Sequence, residues 1–323
     1  MTRRSARAIP MPIDISITIA NHNGRDMLDR CLRSIYAAPP ARASFEVIVV
    51  DNASRDGSAE MARRKYPSAA LIENDAPLGF AANQNKSMSA ASGEFFLLLN
   101  NDAELPPGAL DAMADFMRSN PRAGLAGPRL LNPDGSVQES CFRAPTLSVL
   151  LWDAFFISSI FPASETFGGF KQWAHDAARR VPSLSGACLM ARRSAVADVG
   201  PLDERFFMYF EDHDWCLRFR RAGWEVWFAP VADVLHIGGG SEGLLGHDKM
   251  DRFYSSLLFF YRKHYGAPAA AAAALLNMTG AAFRVAAFTA AALITPSRRA
   301  SLSVRASLYR RLISWHLRRK NAP

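Results

Sequence analysis

The sequence predicts an α/β fold built on a doubly wound, mainly parallel sheet with helices on both faces. Three observations carry this. Segments alternate strand, helix, strand, helix, strand between residues 13 and 99, the order of a parallel sheet with right-handed crossovers. The runs FEVIVVD and EFFLLL are nearly continuous apolar stretches, as expected of strands covered on both faces. Asn21, Asp51 and Asp102 each fall at or just beyond a strand's carboxyl end, the edge where such sheets bind ligands.

Each element has a local reason. Residues 13–20 (IDISITIA) are β-branched and give way to Asn21–His22–Asn23–Gly24, a strand ending in a loop. Met27, Leu28, Cys31, Leu32 and Ile35 recur at helical spacing, and Pro39–Pro40 close that helix. Asp56–Gly57–Ser58 opens a second helix as turn and cap. A short strand at 69–73, a helix at 79–91 and a strand at 94–99 follow, the last running into Asn100–Asn101–Asp102.

Residues 121–245 are less regular. The stretch 183–192 (SLSGACLMAR) reads as one strand tightened at Gly186. Glu211–Asp212, with Asp214, precede a helix marked by Trp215, Leu217 and Phe219, and then a strand WEVWFA. A separate run VADVL leads to His236 and the glycines at 238–240. A helix at 248–265 begins a helical C-terminal extension, first alanine-rich and then arginine-rich.

Of 323 residues, 49% are hydrophobic and 21% charged, ordinary for a folded chain. The net charge of +8 is uneven. Nine of 38 Lys and Arg fall within 266–323, which has no Asp or Glu, so residues 1–265 carry 29 basic against 30 acidic side chains. A nucleic-acid binder would spread its basic charge over the body, so no nucleic acid is expected as a partner. Cys31, Cys141, Cys188 and Cys216 lie far apart without a CxxC pair, which suits free thiols in a reducing compartment. The opening MTRRSARAIPMP lacks an apolar core, so no secretory signal is expected.

The polar residues admit two readings each. Asp102 is a turn residue or a hard oxygen ligand that holds Mg²⁺ or Mn²⁺ together with phosphate oxygens. Asp51 is a cap or an acceptor for the N3–H of a uracil or thymine ring. Glu211, Asp212 and Asp214 complement a helix dipole, or one of them serves as a general base. His236 is structural or a second metal ligand.

Together the stretches ITIANHNGRDMLDRCLRSI, VIVVDNASRDGS, PLGFAANQN, FFLLLNNDAEL, LSGACLMARRSAVADVGPLDERFFMYFEDHDWCLRFRRAGWEV and HIGGGS resemble glycosyltransferase family 2, in its bacterial rhamnosyltransferase-like branch, with a GT-A fold. They occur in the family's order and cover about residues 13–242. The resemblance implies a metal-binding acid at Asp102 and a histidine completing metal binding at His236. It implies that Asp51 faces the pyrimidine, that Asp212 is the base, and that Glu211 beside it orients the acceptor or the loop. Asn21, Asn85, Asn100 and Asn101 fall near the nucleotide sugar. Asn100 stands where many relatives carry the first Asp of D-x-D, which leaves it a ribose contact.

The implied reaction is an inverting, metal-dependent transfer by a single displacement. The implied donor is a nucleotide sugar, dTDP-L-rhamnose being favoured over UDP-galactose, UDP-glucose or GDP-mannose, and the acceptor a lipid-linked or cell-wall glycan. In this division 1–12 is a disordered basic N-terminus. Residues 13–245 form a catalytic domain, with a nucleotide-binding half at 13–120 and an acceptor-binding half at 121–245. Residues 246–323 are the extension.

Within the extension, 269–294 has the length of a bilayer span but carries Arg284 at its centre, at a cost of about 2.5–3.5 kcal/mol. Val304, Leu308, Leu312 and Trp315 form one helical stripe among six arginines from Arg298 to Arg318. This favours a helix lying on an anionic membrane, with a cytoplasmic enzyme peripheral on the inner face of the plasma membrane. A true span, or a packing or homo-oligomerisation arm, are the alternatives.

Rival classes fit less well. A dinucleotide-dependent dehydrogenase would carry G-x-G-x-x-G where Asn21–Gly24 stands. A nucleotidyltransferase would carry a Gly- and Arg-rich phosphate loop there. A non-catalytic glycan- or nucleic-acid-binding protein using the basic tail is the remaining rival.

Overall fold

The computed structural model describes residues 13–162, 164, 166–170, 175–238 and 249–318. The basic N-terminus at 1–12, Gly239, Gly240 and Ser241, the boundary at 245, Asp248, Arg319 and Lys320 lie outside the described residues.

The first half alternates as expected: β1 (Ile15–Asn21), α1 (Arg25–Ala37), β2 (Phe45–Asp51), α2 (Ser58–Lys65), β3 (Ala70–Glu73), α3 (Phe80–Ala90) and β4 (Phe95–Asn100). The order is β3-β2-β1-β4, all parallel. Strand periodicity divides its residues between two cores. Ile15, Ile17 and Ile19 join Leu28, Cys31, Leu32 and Ile35 of α1 on one face, and Ile48, Phe96 and Leu98 join Ala81 and Met88 of α3 on the other. Thr18, on the α3 face of β1, is satisfied there by Gln84 Oε1 at 2.7 Å.

The chain continues through β5 (Ala103–Glu104), α4 (Ala109–Ser119), β6 (Ala123–Leu131), β7 (Val137–Gln138), β8 (Cys141–Phe142), α5 (Leu147–Ala154), α6 (Ile157–Ile160), β9 (Arg179–Arg180), β10 (Ser183–Leu184), β11 (Cys188–Arg192), α7 (Arg193–Val199), α8 (Glu211–Arg221) and β12 (Glu225–His236). β11 runs antiparallel between β4 and β6, and β12 pairs parallel with β6. The result is one mixed ten-stranded sheet, and residues on either side of position 120 contribute to both of its cores. β5 pairs with the end of β12, His236 opposite Ala103, and that register brings His236 beside Asp102.

Two strand readings need correction. The stretch 183–192 is two strands: β10 pairs with β8 in a separate small sheet, and the chain breaks at Ser185–Gly186 before β11. WEVWFA and VADVL, read apart, lie in one strand, β12, which passes Pro230 through a bulge between Phe228 and Asp233. A proline cannot donate to a ladder, and the bulge removes the need.

The extension is helical: α9 (Lys249–Tyr265), α10 (Ala267–Ile294) and α11 (Arg299–Arg318). α9 packs Leu257, Leu258, Phe260 and Tyr261 against Phe206 and Phe210 of the body. α10 turns one stripe inward, with Ala273, Asn277, Gly280 and Ala281 buried, and leaves Leu275, Phe283, Leu293 and Ile294 exposed. Its Arg284 faces the body, donating to the Asp153 carbonyl and stacking over Phe156 at 4.9 Å and Tyr309 at 5.3 Å. Among the described residues α10 is the one helix long and apolar enough to cross a membrane.

The stripe expected on α11 is split. Val304 and Leu308 are exposed, whereas Leu312 is buried and Trp315 packs against the α9 cluster and donates to Asp251 at 2.5 Å. Tertiary packing claims half the stripe, which amphipathic periodicity alone does not reveal.

α10 crosses α5 where Gly280 meets Ala154, and a Cβ at 280 would lie 2.6 Å from the Ala154 Cβ. Gly280→Leu overpacks this crossing and destabilises by about 1–3 kcal/mol. Hydrogen exchange is expected to show faster opening of α10 and α11 with β1–β4 still protected.

Candidate active site

A cavity of about 290 Å³ opens at the carboxyl ends of β1 and β4, lined by residues of the strand-end loops, the segment before α8, and His236. At its floor the loop after β1 and the loop after β4 hold each other. Asn101 Nδ2 donates to Asn21 Oδ1 at 2.7 Å, and Asn21 Nδ2 donates to Asp51 Oδ1 at 3.2 Å and Ser54 Oγ at 3.3 Å. Gly24 lies over this pair, and a Cβ there would clash with the Asn101 amide and come within 2.9 Å of Asn21 Oδ1.

Asn21, Asn100, Asn101, Asp102, Glu211, Asp212 and His236 all line the cavity. Asp51 and Asn85 do not. Asp51, expected to face the pyrimidine, lies directly across the parallel register from Asn21 and is 3% exposed. Its second oxygen accepts from the Ser54 amide at 3.0 Å. Asn85, expected near the nucleotide, is spent on the segment before α8, donating to Leu202 O and Glu204 Oε1 and accepting from Leu202 N. Different asparagines form the wall: Asn52 holds both the amide and the carbonyl of Leu78 and accepts from Asn74, which also donates to Asn83 at 2.7 Å. The sequence marks Asn52 and Asn74 only as polar residues after strands, and Asn83 only as a polar residue within a helix.

Asp102 and His236 form a donor pair, with Oδ1 and Nε2 3.3 Å apart. His236 Nδ1 lies 2.6 Å from Gln138 Oε1. An amide oxygen only accepts, so Nδ1 carries a proton, and in the neutral ring Nε2 is the acceptor, facing Asn100 Nδ2 and Asp102 Oδ1. The Gln138 amide is itself oriented, its nitrogen donating to Asn132 Oδ1 at 2.9 Å and His236 O at 3.2 Å. Gln138 has no sequence signal; it acts because β7 lies on the far side of β6. A lone pair held against a buried carboxylate suits a divalent cation. Asn100 adds an amide 3.3 Å from Nε2 in place of a second carboxylate. No cluster of three His, Cys, Asp or Glu exists among the described residues, so a cation here would complete its shell with ligands other than these side chains.

The other wall begins with strain. Tyr209 and Phe210 have φ of 70° and 66°, costly for aromatic residues, and they turn the chain into α8 so that Glu211 and Asp212 both face the cavity. Asp212 is held by backbone donors, Oδ2 accepting from Gly186 N at 3.0 Å and Oδ1 from His213 N at 2.8 Å. Glu211 is buried with Oε2 unpartnered; burial first, then the charge of Asp212, pushes its carboxyl well above the usual range. Asp214 points away from the cavity. Burial alone would raise it, but hydrogen bonds from His264 and Lys263 and the charge of Arg218 outweigh this and hold it below the ordinary value. The four cysteines are free and buried, and burial pushes the thiols of Cys141 and Cys216 up to about 12, so neither is a nucleophile.

The family model for glycosyl transferase family 2 matches residues 16–200. The chain belongs to glycosyltransferase family 2. A curated relative from Mycobacterium tuberculosis, N-acetylglucosaminyl-diphospho-decaprenol L-rhamnosyltransferase, is 34% identical over 257 residues, covering 74% of this chain and 81% of that protein. A low-salt glycan biosynthesis hexosyltransferase from Haloferax volcanii is 26% identical over 229 residues, 69% of this chain and 67% of its own. Among solved structures, a mannosyltransferase from Pyrobaculum calidifontis in complex with GDP-Man and Mn²⁺ superposes with a TM-score of 0.55 at 19% identity, covering 95% of this chain and 85% of that one. The fold is therefore GT-A-like and the chain is a glycosyltransferase. Asp212 and His236 lie beyond the segment matched by the family model, but the sheet order returns both to the cavity.

The raised carboxyl of Glu211 sets a pH dependence. Its ordinary value is 4.5; above that the unfolded chain loses this proton while the folded chain keeps it, so its contribution to stability falls as pH rises toward the folded value. Glu211→Gln removes this loss. Urea unfolding is expected to give equal stabilities for variant and parent near pH 4 and a more stable variant near pH 8.

Proposed function

We propose that this glycosyltransferase moves L-rhamnose from dTDP-L-rhamnose, with inversion, to a hydroxyl of a lipid-linked or cell-wall glycan, using Mg²⁺ or Mn²⁺. The observation that carries this reading is that one cavity joins an Asp102–His236 donor pair to the Glu211–Asp212 acid pair. The 34%-identical relative, named for L-rhamnosyl transfer onto N-acetylglucosaminyl-diphospho-decaprenol, supports the sugar and the acceptor class.

In this reading residues 13–120 bind the nucleotide through the strand-end loops. Asp102 and His236 would hold the divalent cation, which when bound supplies positive charge against the departing diphosphate. Asp212 takes the proton of the acceptor hydroxyl as that oxygen attacks the anomeric carbon, and one displacement inverts the centre. The two backbone donors fix the Asp212 carboxylate, and the His213 ring 3.7 Å from it is biased by burial toward its neutral form. Glu211, neutral beside it, donates to the acceptor and spares the site a second negative charge. Residues 121–245 supply the acceptor side. Residues 246–323 lie at the inner face of the plasma membrane, a placement supported by the exposed Leu275, Phe283, Val304 and Leu308 beside the exposed Arg298, Arg299, Arg305, Arg310 and Arg311.

Three variants separate the roles. Asp212→Asn lowers kcat by about 10²–10⁴ with donor affinity retained; an active Asp212→Asn beside a dead Glu211→Gln reverses the assignment. Asp102→Ala keeps the fold but removes the dependence of donor binding on added Mn²⁺, followed by calorimetry. Turnover is measured across dTDP-L-rhamnose, UDP-galactose, UDP-glucose and GDP-mannose, and preference for another donor overturns the sugar assignment.

A further inference from the structure

A second cavity, of about 190 Å³, lies where α5, α9, α10 and α11 meet. Its walls are largely apolar, with Val149, Leu150, Phe210, Phe253, Leu257 and Leu312 among them. Two polar side chains of α10, Asn277 and Arg284, also line it, seven residues apart and so on one helix face. Asn277 is 8% exposed, and its Nδ2, like Arg284 Nε, is buried without an acceptor. Arg284 spends one nitrogen on the Asp153 carbonyl, and no carboxylate among the described residues pairs with its charge. The one carboxylate in the lining, Asp153, has its oxygens engaged by Ser158 Oγ and Phe170 N.

Buried donors left unpaired in a native chain are costly, and a cation beside them selects an anionic acceptor, to which Arg binds with several donors at once. The cavity also adjoins the catalytic one. Phe210 forms part of its wall, while the flanking Tyr209 and Glu211 line the first. The Tyr209–Phe210 turn is thus shared between the cavity that holds Arg284 and the one that holds the acid pair. The volume is below the roughly 300–1,000 Å³ of pockets that enclose a whole ligand, enough for an anionic head and the start of a chain. Two of its walls, α10 and α11, carry Leu275, Phe283, Val304 and Leu308 on the surface, an apolar path for the rest.

We infer that this cavity is the subsite for the phosphate and first isoprenoid units of a lipid-linked acceptor, with Arg284 and Asn277 binding the phosphate while the sugar crosses the Tyr209–Phe210 turn to Asp212. The inference rests on the reading of the chain as a transferase to such an acceptor.

The test uses the full chain in neutral detergent micelles with two acceptors, N-acetylglucosamine linked through diphosphate to farnesol and a phosphate-free alkyl N-acetylglucosaminide. Arg284→Gln is expected to raise KM for the diphosphate probe roughly 10- to 100-fold, the loss of one charge-assisted hydrogen bond, and to leave KM for the phosphate-free probe unchanged. Asn277→Leu keeps the Arg284–Asp153 contact and carries the test if Arg284→Gln loosens α10. An amide that is only a packing defect would make Asn277→Leu more stable with KM unmoved; a phosphate ligand makes KM rise as well. Unchanged KM for the diphosphate probe in both variants overturns the subsite while the transferase reading stands. Loss of binding to phosphatidylglycerol vesicles with micellar KM intact assigns the cavity to a membrane phospholipid and also overturns it. Failure of the parent enzyme to use either probe overturns the acceptor reading itself, and the subsite with it.

Discussion

The carboxylate of Asp214 is fully buried and receives Lys263 Nζ, His264 Nε2 at 2.7 Å and Arg218 Nε at 2.9 Å. Lys263 reaches on to Asp203 at 2.7 Å. These contacts tie the start of α8, the end of α9 and the segment before Phe206 into one ionic node. A buried charge is tolerable only with close partners, and here the partners come from elements whose relative position decides the site. The two left-handed aromatics need such support, because a turn held at Tyr209 and Phe210 would relax unless α8 and α9 were pinned on either side. The C-terminal helices are for this reason a wall of the catalytic body, and the region that composition marks as a tail contributes packing to the turn that aims Glu211 and Asp212.

The backbone of the first half was legible because its signals are local. Apolar runs, helical spacing and turn residues locate β1, β2, β4 and their helices within a residue or two. The polar strand ends were legible as a cluster, but side-chain direction was not. Asp51 lies directly across the parallel register from Asn21, and the amide–carboxylate pair forms ahead of any ligand contact. Asn85 lies on α3, whose small and polar residues show no apolar stripe, and only the approach of residues 202–204 decides its role. Gln138 lies on a two-residue strand with no periodicity at all. Non-local pairing is what places these groups, and a window of sequence carries none of it.

The same limit explains the extension. Arg284 argued against a simple span on energetic grounds, and α10 does turn it toward α5 and α11. The stripe of Val304, Leu308, Leu312 and Trp315 was periodic, but periodicity reports a face without naming its partner. Here the partner changes along the helix, from solvent at Val304 to α9 at Trp315. The short α5 and α6, which fix where α10 lies, gave no strong local signal.

The acids of α8 show how neighbours rather than residue type set chemistry. Three carboxylates within four positions meet three environments. Asp214 meets cations and is held charged. Glu211 meets burial and a neighbouring carboxylate, with no cation, and its neutral form is favoured. Asp212 meets two backbone amides, which bind an anion without neutralising it. A site with the proposed role, accepting one proton beside a diphosphate, gains from this separation, because two adjacent charged acids would repel both each other and the donor. On the proposed reading, a neutral Glu211 keeps a donor at the acceptor hydroxyl, and the amides on Asp212 fix the lone pair that receives the proton. Moving Gly186 would disturb Asp212, since its N–H is a contact that holds that carboxylate across the break between β10 and β11. The gap between β10 and β11 is thus part of how Asp212 is oriented.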